Sequence, residues 1–118
     1  TNEYNKFLQF YNTGTSASFD YCHALRNLNA DTYQAIVTGV TTNADYPSRT
    51  NYLINLGCSL NEDNLKRLLD VTISTNILTS TERQNIFTNT MGRSAQALDA
   101  VIEFIDGNYA AINTRINS

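Results

Sequence analysis

The chain offers few groups for covalent or metal chemistry: two cysteines, Cys22 and Cys58, and one histidine, His23. Cys22 and His23 are neighbours in the stretch YCHALRN. A thiol–imidazole pair needs the ring nitrogen within hydrogen-bond reach of the sulfur. In a helix, adjacent side chains point about 100° apart and do not face each other, and adjacency alone does not lower the thiol pKa. A zinc site fails on counting, because structural zinc takes four Cys or His ligands and catalytic zinc usually three protein ligands. Neither H-E-x-x-H nor C-x-x-C is present. His23 therefore reads as a surface or cap-like residue. Cys22 and Cys58 stand 36 positions apart. They suit one disulfide in an oxidising compartment, or two small buried side chains in a reducing one. The residues alone leave both open.

Other catalytic patterns are missing. There is no G-x-S-x-G and no glycine-rich phosphate loop. Glu62 and Asp63 fall in the first turn of a helical pattern, where the helix dipole favours negative charge. Asp99, Glu103 and Asp106 form the polar side of another. Most of the seven tyrosines and five phenylalanines sit on apolar stripes and read as core; Tyr46 and Tyr109 are the two whose exposure would matter. Eight basic residues are scattered against eleven acidic ones, for a net charge of −3. That distribution opposes nucleic-acid binding, which needs clustered Lys and Arg.

The elements that must position these residues are helical. Tyr4, Phe7, Leu8 and Tyr11 recur at i, i+3, i+4, i+7, as do Tyr33, Ile36, Val37 and Val40, and Leu98, Val101, Ile102 and Ile105. Leu65, Leu68, Leu69, Thr72 and Ile73 continue the pattern, and Ile86, Phe87, Thr90 and Met91 give a shorter version. Each set marks one apolar stripe. Asp31 and Asn61 are expected to cap helices, Thr79 and Glu82 to form a capping box, and Pro47 to sit at a helix start. Gly14, Gly57, Gly92 and Gly107 fall near pattern ends. Helices are expected over 3–12, 18–28, 31–42, 47–57, 62–75, 80–91, 94–106 and 108–116.

The expected fold class is all-α: about eight short helices in stacked antiparallel hairpins, a HEAT-like α-solenoid fragment spanning 1–118 as one domain or one piece of a larger one. The segment VTTNADYPSRT is expected as an exposed loop, and SFDYCHALRN as a short helix within the stack. No run of 18 apolar residues, signal peptide or N-x-S/T sequon occurs. The chain begins without Met, as an excised piece would.

Several stretches taken in order resemble one family. YCHALRN, the cysteine spacing to LINLGCSLNEDNLKRLLD, LTSTERQ and MGRSAQALDAVIEFI together look like the C-terminal domain of the M1 zinc aminopeptidases, in the aminopeptidase N branch. The matching positions are Tyr21-Cys22, Leu56-Gly57-Cys58-Ser59, Leu65-Lys66-Arg67-Leu68-Leu69, Gln84 and Gly92. The resemblance covers the chain from about Tyr21 to Tyr109. The chain departs from the family in having Leu98-Asp99-Ala100 where a Trp precedes Asp-Phe, in a shorter helix over 82–91, and in residues 1–20, which match only as an aromatic helix. A divergent, arthropod-like member fits these departures.

The resemblance implies an α-helical superhelix arched over a zinc-dependent catalytic domain of the same polypeptide. That domain holds zinc and binds the peptide substrate through residues outside this chain, so no catalytic or metal residue carries over. In some members the helical domain forms a homodimer. It also implies a secreted or cell-surface, membrane-anchored parent and a Cys22–Cys58 disulfide. That bond conflicts with a strictly antiparallel stack, in which helices 18–28 and 47–57 run the same way and place Cys22 early and Cys58 late. Two other readings remain: a small secreted helical carrier of an apolar ligand, and a helical adaptor that binds proteins. An enclosed apolar cavity would favour the carrier, and an uncovered apolar flank the fragment.

Overall fold

The structure, a computed structural model, describes residues 2–14 and 19–116. Seven α-helices follow in order: α1 (Asn2–Thr13), α2 (Tyr21–Leu25), α3 (Ala30–Thr42), α4 (Arg49–Asn55), α5 (Glu62–Ser74), α6 (Ser80–Met91) and α7 (Ala95–Ile116). A 3-10 turn, Leu56–Cys58, extends α4. Among the described residues there is no strand. The fold is all-α, as the periodicity predicts.

Side-chain caps fix most helix starts. Asn61 accepts the Asn64 N–H at 3.0 Å. Thr79 and Glu82 form the expected reciprocal box, with Glu82 N–H to Thr79 Oγ1 at 3.0 Å and Thr79 N–H to Glu82 Oε1 at 2.9 Å. The cap of α3 is Asn29 rather than Asp31, accepting the Thr32 N–H at 2.9 Å. Asn29 is extended at φ −67° and ψ 158°, as a cap must be. Asp31 already lies in the first helical turn, where its charge meets the positive end of the dipole. Pro47 does not open α4. The chain passes through left-handed Ser48 (φ 60°) and the helix begins at Arg49. The expected helix 18–28 is only five residues long; position 18 lies outside the described residues. The expected break between 94–106 and 108–116 is a kink inside α7: Asn108 is non-helical (φ −136°, ψ 23°) and its side-chain amide donates to the Phe104 carbonyl at 2.9 Å.

Contacts at the helix ends define the stack. Tyr33 near the start of α3 donates its hydroxyl to the Leu56 carbonyl beyond the end of α4 at 2.7 Å, while Arg49 at the start of α4 donates to Val40 near the end of α3 at 3.0 Å. These two helices are antiparallel. Helices α3 and α5 run parallel: Asn64 donates to the Leu28 carbonyl at 3.2 Å at one end, and Thr75 to the Thr41 carbonyl at 3.1 Å at the other. Helices α4 and α6 are parallel too, with Arg49 Nη1 and Glu82 Oε2 2.8 Å apart at their starts and Arg93 donating to the Ile54 carbonyl at 3.1 Å past their ends. Arg83, at 5% exposure, gives two hydrogen bonds to the last carbonyls of α5, Thr72 at 2.9 Å and Thr75 at 2.8 Å. Cationic donors are favoured there by the negative end of the dipole.

From α2 onward each helix thus packs on the next but one. Helices α3, α5 and α7 form one row, α2, α4 and α6 the other, with α1 laid on α2. This is the arrangement of stacked helix hairpins. One apolar core lies among α1 to α4 with Leu68, Leu78 and Ile86, and a second unites Leu65, Leu69, Phe87, Ala97, Ala100, Val101 and Phe104 across α5, α6 and α7. The radius of gyration, 13.9 Å, is close to the ~13.5 Å expected for a compact domain of this length.

Glycine requirements differ sharply between sites. A Cβ at Gly57 would lie 2.9 Å from Thr90 Cα, whereas one at Gly107 would meet nothing within 4 Å. Gly57→Ala should destabilise the fold by about 1–3 kcal/mol in chemical denaturation, and Gly107→Ala should be neutral or stabilising by up to about 1 kcal/mol. Equal effects would contradict the close α4–α6 approach. Burial pushes the Glu82 carboxyl up, but hydrogen bonds from Arg49 and Thr79 and the Arg49 charge outweigh it and hold its pKa below the ordinary value. A depressed folded pKa contributes stability that is complete above the unfolded value, about 4.3, and is lost as pH falls through the folded one. Glu82→Gln should flatten that acid-side loss in a series of melts from about pH 6 downward.

Candidate functional site

The short helix α2 carries the first cysteine. Five residues of helix are not stable alone, so α2 depends on what it touches. Asp20 caps it by accepting the His23 N–H at 3.2 Å. Tyr21 donates its hydroxyl to Ser48 Oγ at 3.1 Å, and the Leu60 N–H donates to the Arg26 carbonyl at 3.0 Å. Between these anchors Cys22 is bonded to Cys58, with Cα atoms 5.3 Å apart, inside the range a disulfide spans. The conflict raised by parallel packing disappears because α2 is only about 7.5 Å long at 1.5 Å per residue. Cys22 is therefore within one turn of its end. Cys58 lies in the 3-10 turn beyond α4, which reaches across to α2.

Cys58 is 3% exposed and Cys22 half-buried. Oxidised together, they offer no thiolate for nucleophilic or metal chemistry. His23 is half-buried on the same short helix and contributes its backbone, not its ring, to the Asp20 cap. Among the described residues no group of three or more His, Cys, Asp or Glu is placed to hold a metal ion. Glu62 and Asp63 are exposed in the first turn of α5, and Asp99, Glu103 and Asp106 are exposed along α7.

The surface feature that stands out is apolar. The expected stripe Leu98, Val101, Ile102 and Ile105 does not face inward as a unit. Val101 is buried, but Leu98 is 39% and Ile102 49% exposed. The core takes Ala97, Ala100, Val101 and Phe104 instead, because two alanines let α7 approach α5 and α6 closely and Phe104 reaches Phe87, ring centroids 6.1 Å apart. The helix is thus rotated, and its apolar arc is wider than its buried face. Leu98, Ile102, Ile105 and Tyr109 follow i, i+4, i+7, i+11 along the flank toward α6. There an open cleft of about 340 Å³ is lined by Gln84, Phe87 and Thr88 from α6 and Ile105, Tyr109 and Ile112 from α7. Tyr109 is 68% exposed, and Met91 on α6 is exposed as well. Every lining side chain is uncharged; the α7 acids Asp99, Glu103 and Asp106 lie about 100° further round the helix, one residue on from Leu98, Ile102 and Ile105.

Sequence periodicity identified Leu98, Ile102 and Ile105 as apolar, and Tyr109 as a residue whose exposure matters. It did not identify Gln84 and Thr88 as neighbours of Ile105 and Tyr109. The signal available was the width of the α7 arc, which exceeds what one buried face needs. No family model, curated protein or solved structure matches this chain.

Closing a loop of this length by a disulfide stabilises by about 4 kcal/mol through lost unfolded-state entropy. The double variant Cys22→Ala/Cys58→Ala should lose a comparable amount in denaturant titration, with α1 and α2 losing hydrogen-exchange protection before α5 to α7. Alkylation without reductant should label neither cysteine; a labelled fraction with unchanged stability would count against the staple.

Proposed function

We propose that the chain is a non-catalytic helical module, the C-terminal portion of an M1-type zinc aminopeptidase, and that it packs through the α6–α7 flank against a further helical layer of the same polypeptide. One observation carries the reading: a stack of helix hairpins ends in a helix whose uncharged apolar flank is uncovered. A helix placed there would bear the same relation to α6 and α7 as α6 bears to α4 and α5, and would extend the even row. From Leu98 to Tyr109 the flank runs about 16 Å at 1.5 Å per residue, three helical turns. Large uncovered apolar surface on a soluble domain marks an interaction face.

In such a parent the zinc that activates water for peptide hydrolysis belongs to the catalytic domain. The residues of this chain do not suit it: Cys22 and Cys58 are consumed by one another, and among the described residues no group of three or more His, Cys, Asp or Glu is placed to hold a metal. The module would instead shape and close the substrate chamber. The disulfide supports an oxidising, extracellular or cell-surface setting; no helix among the described residues is long and apolar enough to cross a membrane. The carrier reading wants an enclosed cavity, and the clefts here open to the surface.

Two measurements test the proposal. The pure chain, supplied with zinc and an aminoacyl chromogenic substrate, should show no turnover; zinc-dependent release of the chromophore would overturn it. Ile102→Asp should change the unfolding free energy of the 118-residue chain by no more than about 0.5 kcal/mol, as an exposed site does. A loss of more than about 2 kcal/mol would mean that the flank is already packed.

A further inference from the structure

The uncovered α6–α7 flank stands at the end of a repeat, and the earlier layers show what such a flank receives. Helix α4 lies against α3, and α6 against α5, each starting where the preceding helix ends. Both bring an arginine in the first turn. Arg49, the first residue of α4, donates its Nε–H to the Val40 carbonyl at 3.0 Å. Arg83, the fourth residue of α6, donates its Nε–H to the Thr72 carbonyl at 2.9 Å. Val40 and Thr72 are each the third residue from the end of their helix. A helix leaves its last carbonyls without intrahelical partners, and its negative end favours a cation. The α3–α4 joint is closed further by the Tyr46 ring, which takes the space left open at Gly39; a Cβ there would come within 2.6 Å of Tyr46 Cδ1. Counted back from Ile116, the equivalent residue of α7 is Thr114, and it is exposed.

The charges along α7 agree with that pattern. Asp99 and Asp106, both exposed and about two turns apart, follow the outer edge of the flank one residue on from Leu98 and Ile105. Among the described residues no cation pairs with either. Glu103 instead lines a cleft on the α5 side, beside Lys66 and Asp70. The opposite wall, Gln84, Thr88 and Met91 of α6, is exposed and uncharged. We propose that the flank receives an amphipathic helix antiparallel to α7, with an arginine in its first turn on the C-terminal carbonyls of α7 and basic residues along the edge that faces Asp99 and Asp106. This rests on the flank being a docking face and adds the direction and charge of the occupant. The direction follows from α4 and α6, which run antiparallel to α3 and α5. A second copy of this chain does not meet the description at its own flank: over 95–114, α7 carries three acids and no Lys or Arg.

The test titrates the ¹⁵N-labelled 118-residue chain with helical peptides of about 20 residues that share one apolar face. One has an arginine in its first turn and lysines along one edge; its counterpart has glutamine at those positions. The basic peptide should shift amides over 98–109 and at Gln84 and Thr88, and should bind about tenfold tighter than the glutamine peptide. Asp99→Asn/Asp106→Asn, at two exposed sites, should reduce that preference to about threefold, the remainder belonging to the arginine. A nitroxide at the N-terminus of the basic peptide should broaden amides near Thr114, and one at its C-terminus those near Leu98. Equal affinity of the two peptides, an undiminished preference in the double variant, or the reverse broadening would overturn this proposal and leave the flank a docking face. No shift along the flank with either peptide at millimolar concentration would overturn the docking reading itself, and this proposal with it.

Discussion

Three consecutive residues bind three helices to one turn. The Leu56 carbonyl receives the buried Tyr33 hydroxyl of α3, Gly57 lies against the backbone of Thr90 on α6, and Cys58 is bonded to Cys22 of α2. Burial pushes the Tyr33 hydroxyl far above its usual pKa, so it stays a neutral donor at any ordinary pH. The 3-10 turn is where the two rows of the stack meet. A carbonyl, an absent side chain and a sulfur are the chemically distinct means by which it does so. Moving the turn would disturb α2, α3 and α6 together, which makes its geometry the constraint on the remaining packing.

Beyond that turn, order comes from polar contacts at helix ends and apolar contacts between them. Arg49 links the starts of α4 and α6, Arg93 joins their far ends, and Asn64 and Thr75 do the same for α3 and α5. Each contact satisfies a carbonyl or carboxylate that would otherwise need water. They set the register in which Leu65, Leu69 and Phe87 meet α7. The last helix has neighbours on one side only, and its excess apolar width becomes the uncovered flank. The flank is thus a product of the same repeat that builds the core.

Much of this was legible in the residues. Tyr33, Ile36, Val37 and Val40 share one face and all are buried; Leu65, Leu68, Leu69 and Thr72 behave likewise. Asn61 and the Thr79–Glu82 pair cap as their types predict. Where the structure departs from the local pattern, a nonlocal contact decides. Asn29 and Asp31 are both competent caps, and the backbone turn out of α2 selected Asn29. On α7 the periodicity could not say which half of a wide arc would be buried; small Ala97 and Ala100 gave closer packing than Leu98 and Ile102. The shortness of α2 was hidden because its stabilising contacts, Ser48, Cys58 and Leu60, lie 27 or more positions downstream for the first of them.

The seating of Tyr46 on Gly39 carries a consequence for how this sequence can change. The ring fills space that belongs geometrically to position 39, so α3 is completed at that point by a side chain from seven residues away. The two positions share one volume. A larger residue at 39 becomes admissible only when 46 shrinks, and a small residue at 46 leaves a hollow only while 39 remains glycine. Across diverged copies of this fold the pair should exchange bulk reciprocally, with the total conserved while the individual residues are not.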